Sequence, residues 1–355
     1  AAPDVYKRQV SIQVNGQWQT FPNARAAEEA AYGEYKDNLR RTAENFRITD
    51  DHLGEGGPKA KFQANIAAIK LLKYLEETTE QATPEQQKIL SRYVGWGGLA
   101  DAFDPEKPAW AAEYTQLKEL LTPEEYTAAR GSTLNAHYTS PTVIRAIYET
   151  VGRMGFETGN ILEPSCGVGN FFGMLPEEMR NSRLYGVELD SISGRIAKQL
   201  YPKADITVAG FETTDRRDFY DLAIGNVPFG QYQVRDKAYD KLNFNIHNYF
   251  FAKALDQVRP GGVVAFVTSR YTMDAKDSTV RRYLAQRAEL LGAIRLPNDA
   301  FKKNAGAEVV SDIIFLQKRD RPLDIVPEWT QTGQTEDGFA INRYFIDHPE
   351  MVLGR

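Results

Sequence analysis

The feature that most restricts the possible fold is an alternation of short apolar runs with helix-like segments after residue 136. The runs are NILEP, RLYGVEL, ADITVA, FYDLAIG, GGVVAFVTS, LLGAIRLP and SDIIFLQK. Continuous apolar strands separated by helices are typical of a doubly wound α/β fold with a parallel sheet covered on both faces. Ligands bind such sheets outside the carboxyl ends of the strands, so the residues that follow each strand are the first candidates for chemistry.

Before this alternation the composition is helical. A chain of 355 residues is long enough for two domains, or for one domain of roughly 200 residues with an appendage. We therefore predict four segments: a leader over 1–22, a helical domain over 23–134, an α/β domain over 135–320 and an irregular tail or linker over 321–355.

Local patterns place several helices in the 23–134 segment. In KFQANIAAIKLLKYLEE apolar residues recur every three or four positions, which gives a helix one apolar face. Two further helices are predicted to begin with capping boxes, Thr83 with Gln86 and Thr122 with Glu125, each with proline in the first turn. Between them the glycine-rich YVGWGGLADAF is predicted to form a tight helix connection with Trp96 packed beneath it.

Composition narrows the class of protein. The single cysteine, Cys166, excludes a disulfide framework and a cysteine metal cluster, and the four histidines show no paired metal spacing. No apolar run approaches the roughly 18 residues of a membrane helix, so we expect a cytoplasmic, metal-free protein. The net charge of −5 argues against strong autonomous binding to duplex nucleic acid, although Arg270–Lys303 contains eight basic and four acidic residues. We expect most of these basic residues on a solvated helix surface.

An acid and a pair of glycines follow the first strand of the alternation, in the segment EPSCGVGNF. Glycines at this point let a ligand approach the backbone at the start of a helix. A dinucleotide fingerprint would need a third glycine where the chain has Phe172, and Glu163 would repel a pyrophosphate. A carboxylate at this strand end suits a cationic ligand that carries an amino group.

A second acid, Glu188, ends the second strand in GVELD. It lies nineteen residues beyond Gly169, where an acid can accept hydrogen bonds from both ribose hydroxyls of a nucleoside. A ligand with a ribose and an ammonium group but no pyrophosphate is S-adenosylmethionine. The two acids and the glycine pair make it the predicted cofactor.

The fourth strand ends in AIGNVPFG, which contains more than a turn needs. Asn, Pro and Gly form turns, whereas the aromatic residue has no role in one. For a planar amine such as the exocyclic nitrogen of adenine, the Asn226 side-chain oxygen and the Val227 carbonyl could accept the amine hydrogens and make the nitrogen more nucleophilic. Pro228 has no amide hydrogen to compete for these acceptors, and Phe229 offers a face on which a flipped base stacks.

Together, ILEPSCGVGNF, LYGVELD and IGNVPFG resemble motifs I, II and IV of the γ-class S-adenosylmethionine-dependent DNA adenine-N6 methyltransferases, in the same order. AHYTSPTVIRAIYE resembles their motif X, and the resemblance covers about 135–318. YVGWGGLADAF and HPEMVLG also resemble the methylase region of very large methylase–helicase proteins of phages and conjugative elements. The resemblance implies a Rossmann-like methyltransferase sheet, DNA as a partner and a fused or associated helicase.

The resemblance also implies roles for individual residues. Tyr138 and Thr139 would contact the methionine end of the cofactor, with Glu188 on the ribose and Leu189 against the adenine ring. The cofactor turn would consist of Glu163, Pro164, Ser165, Gly167, Gly169 and Asn170. The catalytic group would consist of Asn226, Val227, Pro228 and Phe229.

The chain departs from the family pattern at two points. The usual motif IV is Asn-Pro-Pro-aromatic, and Val227 replaces its first proline, which leaves a backbone carbonyl in place. Many relatives bind the adenine amine of the cofactor with Asp-Phe after the third strand, where this chain has Phe211 and Glu212, so Glu212 is the expected substitute. His247 in NIHNYFF is expected at the start of a helix, as a cap or facing solvent, and not as a general base.

Three functions remain open on the sequence alone. The first is methylation of the adenine N6 amine in DNA. The second is the same chemistry on RNA adenine or on glutamine side chains of proteins. The third is a non-catalytic module that binds S-adenosylmethionine or DNA and regulates an attached helicase. Val227 favours the third slightly, whereas Asn226, Phe229 and the two acids weigh against it more heavily.

Overall fold

The computed structural model describes residues 9–134, 138–301 and 310–354. The described chain begins with a hairpin and five α-helices, before α6 and the sheet. They are β1 (Val10–Val14), β2 (Gln17–Phe21), α1 (Ala24–Thr42), α2 (Pro58–Glu77), α3 (Pro84–Leu90), α4 (Ala111–Leu120) and α5 (Pro123–Gly131). None of the helices in these residues is long and apolar enough to cross a membrane. Residues 1–8 of the predicted leader, residues 135–137 of the motif X-like segment, and Lys302 and Lys303 lie outside the described residues.

The seven apolar runs all form strands of one sheet. The strands of this sheet, with the helices before and between them, are α6 (Pro141–Arg153), β3 (Asn160–Glu163), α7 (Asn170–Gly173), β4 (Arg183–Glu188), α8 (Ser191–Leu200), β5 (Asp205–Val208), β6 (Tyr220–Asn226), α9 (Ile246–Gln257), β7 (Val258–Ser269), α10 (Tyr271–Asp274), α11 (Thr279–Arg287), β8 (Ala288–Arg295) and β9 (Ser311–Lys318). The alternation of strands and helices therefore follows the predicted order.

The strand order is β5-β4-β3-β6-β7-β9-β8, and every neighbouring pair is parallel except the two that involve β9. This order confirms the predicted doubly wound, Rossmann-like α/β fold with helices before it. The antiparallel β9 is a departure from an all-parallel sheet. No helical pattern separates LLGAIRLP from SDIIFLQK in the sequence, and antiparallel neighbours need no helical crossover.

Strand residues alternate between two apolar layers, one on each face of the sheet. In β6, Leu222 and Ile224 belong to one layer and Ala223 to the other. The first layer includes side chains of α2, α6 and α8, and the second includes side chains of α9 and α11. Because successive side chains of a strand point to opposite faces, a strand covered on both faces has the continuous apolar run seen in the sequence.

Both predicted capping boxes are present in the helical segment. The Gln86 amide donates to Thr83 Oγ1 at 3.3 Å, and the Thr83 amide donates to Gln86 Oε1 at 3.0 Å. Thr122 and Glu125 form the same reciprocal pair at the start of α5. Trp96 is buried beneath the glycine-rich connection, edge-on to Phe62 and Phe103, as the sequence predicted.

An ion-pair cluster joins the helical segment to the sheet. Arg195 of α8 contacts Glu76 of α2 at 2.6 Å and Glu125 of α5 at 3.1 Å, and Lys73 contacts Glu125 at 2.7 Å. Burial opposes the ionisation of Glu125, but hydrogen bonds from Lys73, the Thr122 amide and Arg195 outweigh it and lower the pKa of Glu125 to about 2. The carboxylate therefore stays charged near neutral pH and holds α2 and α5 against α8.

The 321–355 segment packs against the second apolar layer. It contains β10 (Thr332–Gln334), β11 (Ala340–Asn342) and α12 (Arg343–Asp347). Asn342 is fully buried, and its Nδ2 donates to the carbonyls of Met273 at 2.7 Å and Trp329 at 2.8 Å. The division of the chain into four segments at 22, 134 and 320 remains a prediction.

Among the described basic residues of the Arg270–Lys303 segment, Arg281 and Arg295 are buried and are exceptions to the solvated surface expected for most of them. Arg281 donates to the carbonyls of Thr330 at 2.9 Å and Ala275 at 2.8 Å. The guanidinium of Arg295 forms a bidentate pair with the Asp312 carboxylate at 2.8 and 2.9 Å. The Thr330 carbonyl and the Asp312 carboxylate lie outside this segment, and the local charge pattern of the sequence does not report them.

Replacement of Asn65 is predicted to destabilise the fold. Asn65 of α2 is fully buried; its Nδ2 donates to the Gly95 carbonyl at 2.6 Å, and its Oδ1 accepts from the Val94 amide at 2.9 Å. Asn65→Ala leaves both backbone groups without these partners. We expect the free energy of unfolding, measured by urea denaturation, to fall by about 2–4 kcal/mol.

Gln63→Ala is the matched control, because Gln63 lies on the exposed side of the same helix. Its free energy of unfolding should stay within about 0.5 kcal/mol of the parent value. Equal stability of the two variants would show that the contacts of Asn65 with the 94–95 backbone contribute nothing measurable.

Candidate cofactor and substrate site

The predicted site residues meet where the strand order reverses. β3 has β4 on one side and β6 on the other, so the connections that follow β3 and β6 diverge and a crevice opens at the carboxyl ends. A cavity of about 1120 Å³ occupies this crevice. Its wall includes most of the predicted residues: Tyr138, Thr139, Glu163, Pro164, Ser165, Gly167, Asn170, Glu188, Leu189, Phe211, Glu212, Asn226, Val227 and Pro228.

The turn after β3 depends on two glycines in left-handed backbone conformations. Gly167 has φ 56° and Gly169 has φ 86°. A Cβ on Gly169 would lie 2.5 Å from the Tyr201 ring, so no larger residue fits there. The Cys166 amide donates to the Val187 carbonyl at 2.9 Å, which ties the turn to β4. Gly169 thus sets the shape of the turn through its contact with Tyr201 and is not part of the cavity wall.

Glu163 ends β3 as a buried carboxyl group. Its side chain is only slightly exposed, and its Oε2 accepts no hydrogen bond from the described residues. Burial, and then the nearby charge of Glu188, raise the pKa of Glu163 well above its usual range. A buried carboxylate of this kind is unfavourable unless a cation or a donor compensates it. The group is therefore suited to a positively charged ligand.

Glu188 ends β4 across the glycine turn from Glu163. Its Oε2 accepts from the Gly167 amide at 3.3 Å. Burial and the charge of Asp190 raise the pKa of Glu188 to about 7, although hydrogen bonds from the Gly167 and Asp190 amides oppose the shift. Two carboxyl groups on either side of a glycine turn fit a ligand with a positive charge and a ribose, as S-adenosylmethionine has.

Apolar side chains form the wall beyond Glu188. Leu189 is 74% exposed at the cavity, and Phe211 packs on Phe250 with ring centroids 4.9 Å apart. Phe250 also reaches the cavity. The carboxylate of Glu212 turns back over Gly210, where a Cβ would lie 2.1 Å from Glu212 Oε1. This part of the wall is suited to a flat aromatic ring.

Asn226 ends β6 with its side-chain amide in a defined orientation. Its Nδ2 donates to Thr139 Oγ1 at 3.0 Å, whereas its Oδ1 is buried and has no hydrogen-bond partner within the described chain. The next residue, Val227, is buried, and its amide donates to the Val267 carbonyl at 3.1 Å. The Asn226 oxygen is thus an unused acceptor at the cavity wall.

Two aromatic residues of the loop after β6 differ in position. Phe229 is half-buried, packs against both apolar layers and lies outside the cavity wall of the described residues. Tyr232 is 48% exposed and does line the cavity. Its ring lies over Gly230, where a Cβ would approach it to 2.5 Å. The stacking role expected of Phe229 therefore remains a prediction.

The sequence prediction for His247 is wrong in part. His247 is the second residue of α9, as expected, but it is buried and neither caps the helix nor faces solvent. Burial lowers the pKa of His247 to about 4, although a hydrogen bond with the Gly230 backbone opposes the shift. Gly230 belongs to the loop after β6, a contact that the local pattern NIHNYFF does not reveal.

Residues of the helical segment also line the cavity, which the sequence analysis did not predict. Tyr93, Val94, Gly95 and Trp96 of YVGWGGL line it, and so does Ser132 after α5. The glycine content of YVGWGGL was the available signal, because glycine allows a ligand to approach the backbone closely. The helical segment therefore forms part of the site as well as bracing the sheet.

Comparison with known proteins finds relatives that match part of the chain. No protein-family model matches the chain. The "Defense against restriction protein B" of Escherichia phage P1 is 28% identical over 272 residues, which are 75% of this chain and 10% of that protein. The type II methyltransferase M.CvrRI of Paramecium bursaria Chlorella virus XZ-6E is 41% identical over 83 residues, 23% of this chain and 21% of that protein.

The match to a third relative covers a larger share of that relative's length. A type II methyltransferase of Thermus thermophilus is 27% identical over 186 residues, which are 47% of this chain and 42% of that protein. The chain thus spans less than half the length of each of these curated relatives. The chain is thus related in sequence to the phage P1 protein and to type II methyltransferases, and its strand order and acid-lined cavity suit S-adenosylmethionine as a cofactor.

Proposed function

We propose that this chain transfers a methyl group from S-adenosylmethionine to the N6 amine of an adenine in DNA. The observation that carries the proposal is the environment of Asn226, whose Nδ2 is held by Thr139 while its buried Oδ1 has no partner among the described residues. An unused acceptor beside a cofactor cavity suits a substrate amine, which has two hydrogens to donate. The similarity to curated type II methyltransferases supports a methyl-transfer reaction.

The cofactor-binding roles are divided between charged and apolar side chains. S-adenosylmethionine, when bound, supplies an electrophilic methyl group on a positively charged sulfur. Glu163 compensates positive charge on the cofactor, since its Oε2 has no other partner within the described chain. Glu188 accepts from the ribose hydroxyls, while Leu189 and Phe211 form the apolar wall for the adenine ring.

Residues 226–229, at the end of β6, change the geometry of the substrate amine. The lone pair of an adenine N6 amine is delocalised into the ring, which makes the nitrogen a poor nucleophile. Hydrogen bonds from its two hydrogens to Asn226 Oδ1 and to the Val227 carbonyl draw the nitrogen towards a tetrahedral shape and localise the lone pair. Pro228 presents no amide hydrogen that would compete for these acceptors. Phe229 is the proposed stacking partner of the base.

The volume of the cavity supports a two-ligand site. A pocket for one small molecule usually measures roughly 300–1,000 Å³, and this cavity measures about 1120 Å³. A cofactor and a nucleobase can therefore lie side by side. An adenine inside a duplex cannot reach such a cavity, so the base has to be flipped out of the helix or presented on a single strand. A fused or associated helicase, which would supply single-stranded DNA, is part of the proposal.

Methyl transfer is expected to depend on Asn226. With labelled S-adenosylmethionine and duplex DNA, single-stranded DNA, RNA or a mixed protein extract, we expect label at adenine N6 of DNA. Asn226→Ala removes one of the two amine acceptors, so kcat should fall at least about a hundredfold. Mass spectrometry of the digested substrates identifies the methylated atom. Label on RNA or on glutamine would overturn the DNA proposal, and cofactor binding without any transfer would favour the regulatory module.

Phe229→Ala tests the stacking role separately. Stacking of a base on an aromatic side chain contributes about 1–3 kcal/mol, so kcat/KM should fall about 5- to 150-fold. Phe339→Ala is the matched control, because Phe339 is exposed in the 321–355 segment and lies outside the cavity wall. Equal kcat/KM for the two variants would remove Phe229 from the catalytic group, and Tyr232→Ala would then be the next variant to measure.

Cofactor binding is expected to weaken as the pH falls below 7. The pKa of Glu188 is raised to about 7 in the free protein, and a cationic cofactor favours the ionised carboxylate. Affinity is therefore highest above pH 7 and falls up to about tenfold per pH unit below it as Glu188 is protonated. Isothermal titration calorimetry across this range measures the affinity and the protons released on binding.

Two glutamate-to-glutamine variants test whether Glu188 is the group that titrates near pH 7. Glu188→Gln should bind S-adenosylmethionine more weakly at high pH and should lose the change in affinity near pH 7. Glu178→Gln, at an exposed position away from the cavity, should keep the parent profile. If the affinity of Glu188→Gln for S-adenosylmethionine still changes near pH 7, another group titrates there.

A further inference from the structure

We propose that Thr139 is a positioning residue for catalysis, because its hydroxyl holds the Asn226 amide with the oxygen turned towards the substrate amine. The inference rests on the proposed function of Asn226 and extends it to a residue that the family resemblance assigned only to the cofactor. It gives the segment before α6 a part in activating the substrate.

The contact joins two distant segments of the chain. Thr139 and Asn226 are 87 positions apart, and Nδ2 of Asn226 lies 3.0 Å from Oγ1 of Thr139. Thr139 is buried, with 7% of its surface exposed, and lines the same cavity as Asn226. Geometry and burial therefore make this hydrogen bond part of the site itself.

The position of Thr139 is restrained from both sides. Ser140 caps α6 by accepting from the Val143 amide at 3.4 Å, and Pro141 is the first residue of that helix. On the other side the ring of Tyr138 packs against Gly54, where a Cβ would lie 2.8 Å from it. A residue between a capped helix start and a packed aromatic ring has little freedom to move. The hydroxyl is thus a fixed anchor for the amide.

The orientation of the amide decides whether Asn226 can act. With Oδ1 towards the cavity, the side chain accepts a hydrogen bond from a substrate amine. With the amide rotated by half a turn, Nδ2 would meet the amine, and two donors cannot form a hydrogen bond. In the productive orientation Nδ2 needs an acceptor, and Thr139 Oγ1 supplies it. Without that acceptor, the productive orientation would leave a buried donor unsatisfied.

Kinetics of two substitutions test the role. Thr139→Val keeps the shape of the side chain and removes the acceptor, so we expect kcat for methyl transfer to fall about 10- to 100-fold at saturating cofactor. Thr139→Ser keeps a hydroxyl and should recover most of the parent kcat. Thr142→Val, at an exposed position in the first turn of α6, is the matched control and should leave kcat unchanged.

The Kd for S-adenosylmethionine separates positioning from cofactor binding. If Thr139 only contacts the cofactor, Thr139→Val will raise this Kd and will leave kcat at saturation equal to the parent value, which would overturn the inference. Normal kcat in Thr139→Val together with an inactive Asn226→Ala would also overturn it, while leaving the proposed function intact. Full activity of Asn226→Ala would instead refute the proposed function.

A measurement that needs no activity examines the hydrogen bond directly. In protein labelled with ¹⁵N-asparagine, the side-chain NH₂ pair that is missing from Asn226→Ala belongs to Asn226. We expect Thr139→Val to shift this pair and to speed its hydrogen exchange with solvent, because Nδ2 loses its acceptor. Thr142→Val should leave the pair unchanged. An Asn226 pair that is identical in Thr139→Val and in the parent protein would show that the hydroxyl does not hold the amide.

Discussion

The reversal of strand order at β3 is the constraint on which the whole site depends. β4 and β6 lie on opposite sides of β3, so the connecting segments leave the carboxyl edge of the sheet in different directions and do not fill the space between them. Glu163, Glu188 and Asn226 are the last residues of these three strands. They border one cavity although they are far apart in the chain. The topology, rather than distance along the sequence, brings the two acids and the Asn226 carboxamide together.

The same cavity contains polar atoms that the protein itself leaves unsatisfied. Oε2 of Glu163 and Oδ1 of Asn226 are both buried, and neither has a partner among the residues the structure describes. Most buried polar groups in proteins are hydrogen-bonded, because an unpaired one loses its interaction with water and gains nothing in return. Here one atom suits a cation and the other suits an amine donor. Both atoms are therefore available to ligands that enter the cavity.

The helical segment completes the enclosure of the site. Asn65 holds the 94–95 backbone on α2, and the pairs of Arg195 with Glu76 and Glu125 hold the helices against α8. As a result the YVGWGGL connection is fixed over the cavity that the strand ends open. Charged groups inside a site closed in this way interact more strongly than they would in water, since less solvent screens them.

The sequence by itself determined the strands, most of the helices and the residues at the strand ends that border the cavity. Apolar periodicity reports whether an element is covered on one face or two, and the carboxyl ends of parallel strands must share one edge. Only the tertiary structure decided that Arg281 and His247 are buried, that Phe229 packs outside the cavity wall, and that Thr139 bonds Asn226. Each of these outcomes depends on atoms that another segment supplies. Local patterns describe an element and its exposure, whereas hydrogen-bond partners and the direction of a loop side chain follow from how distant elements pack.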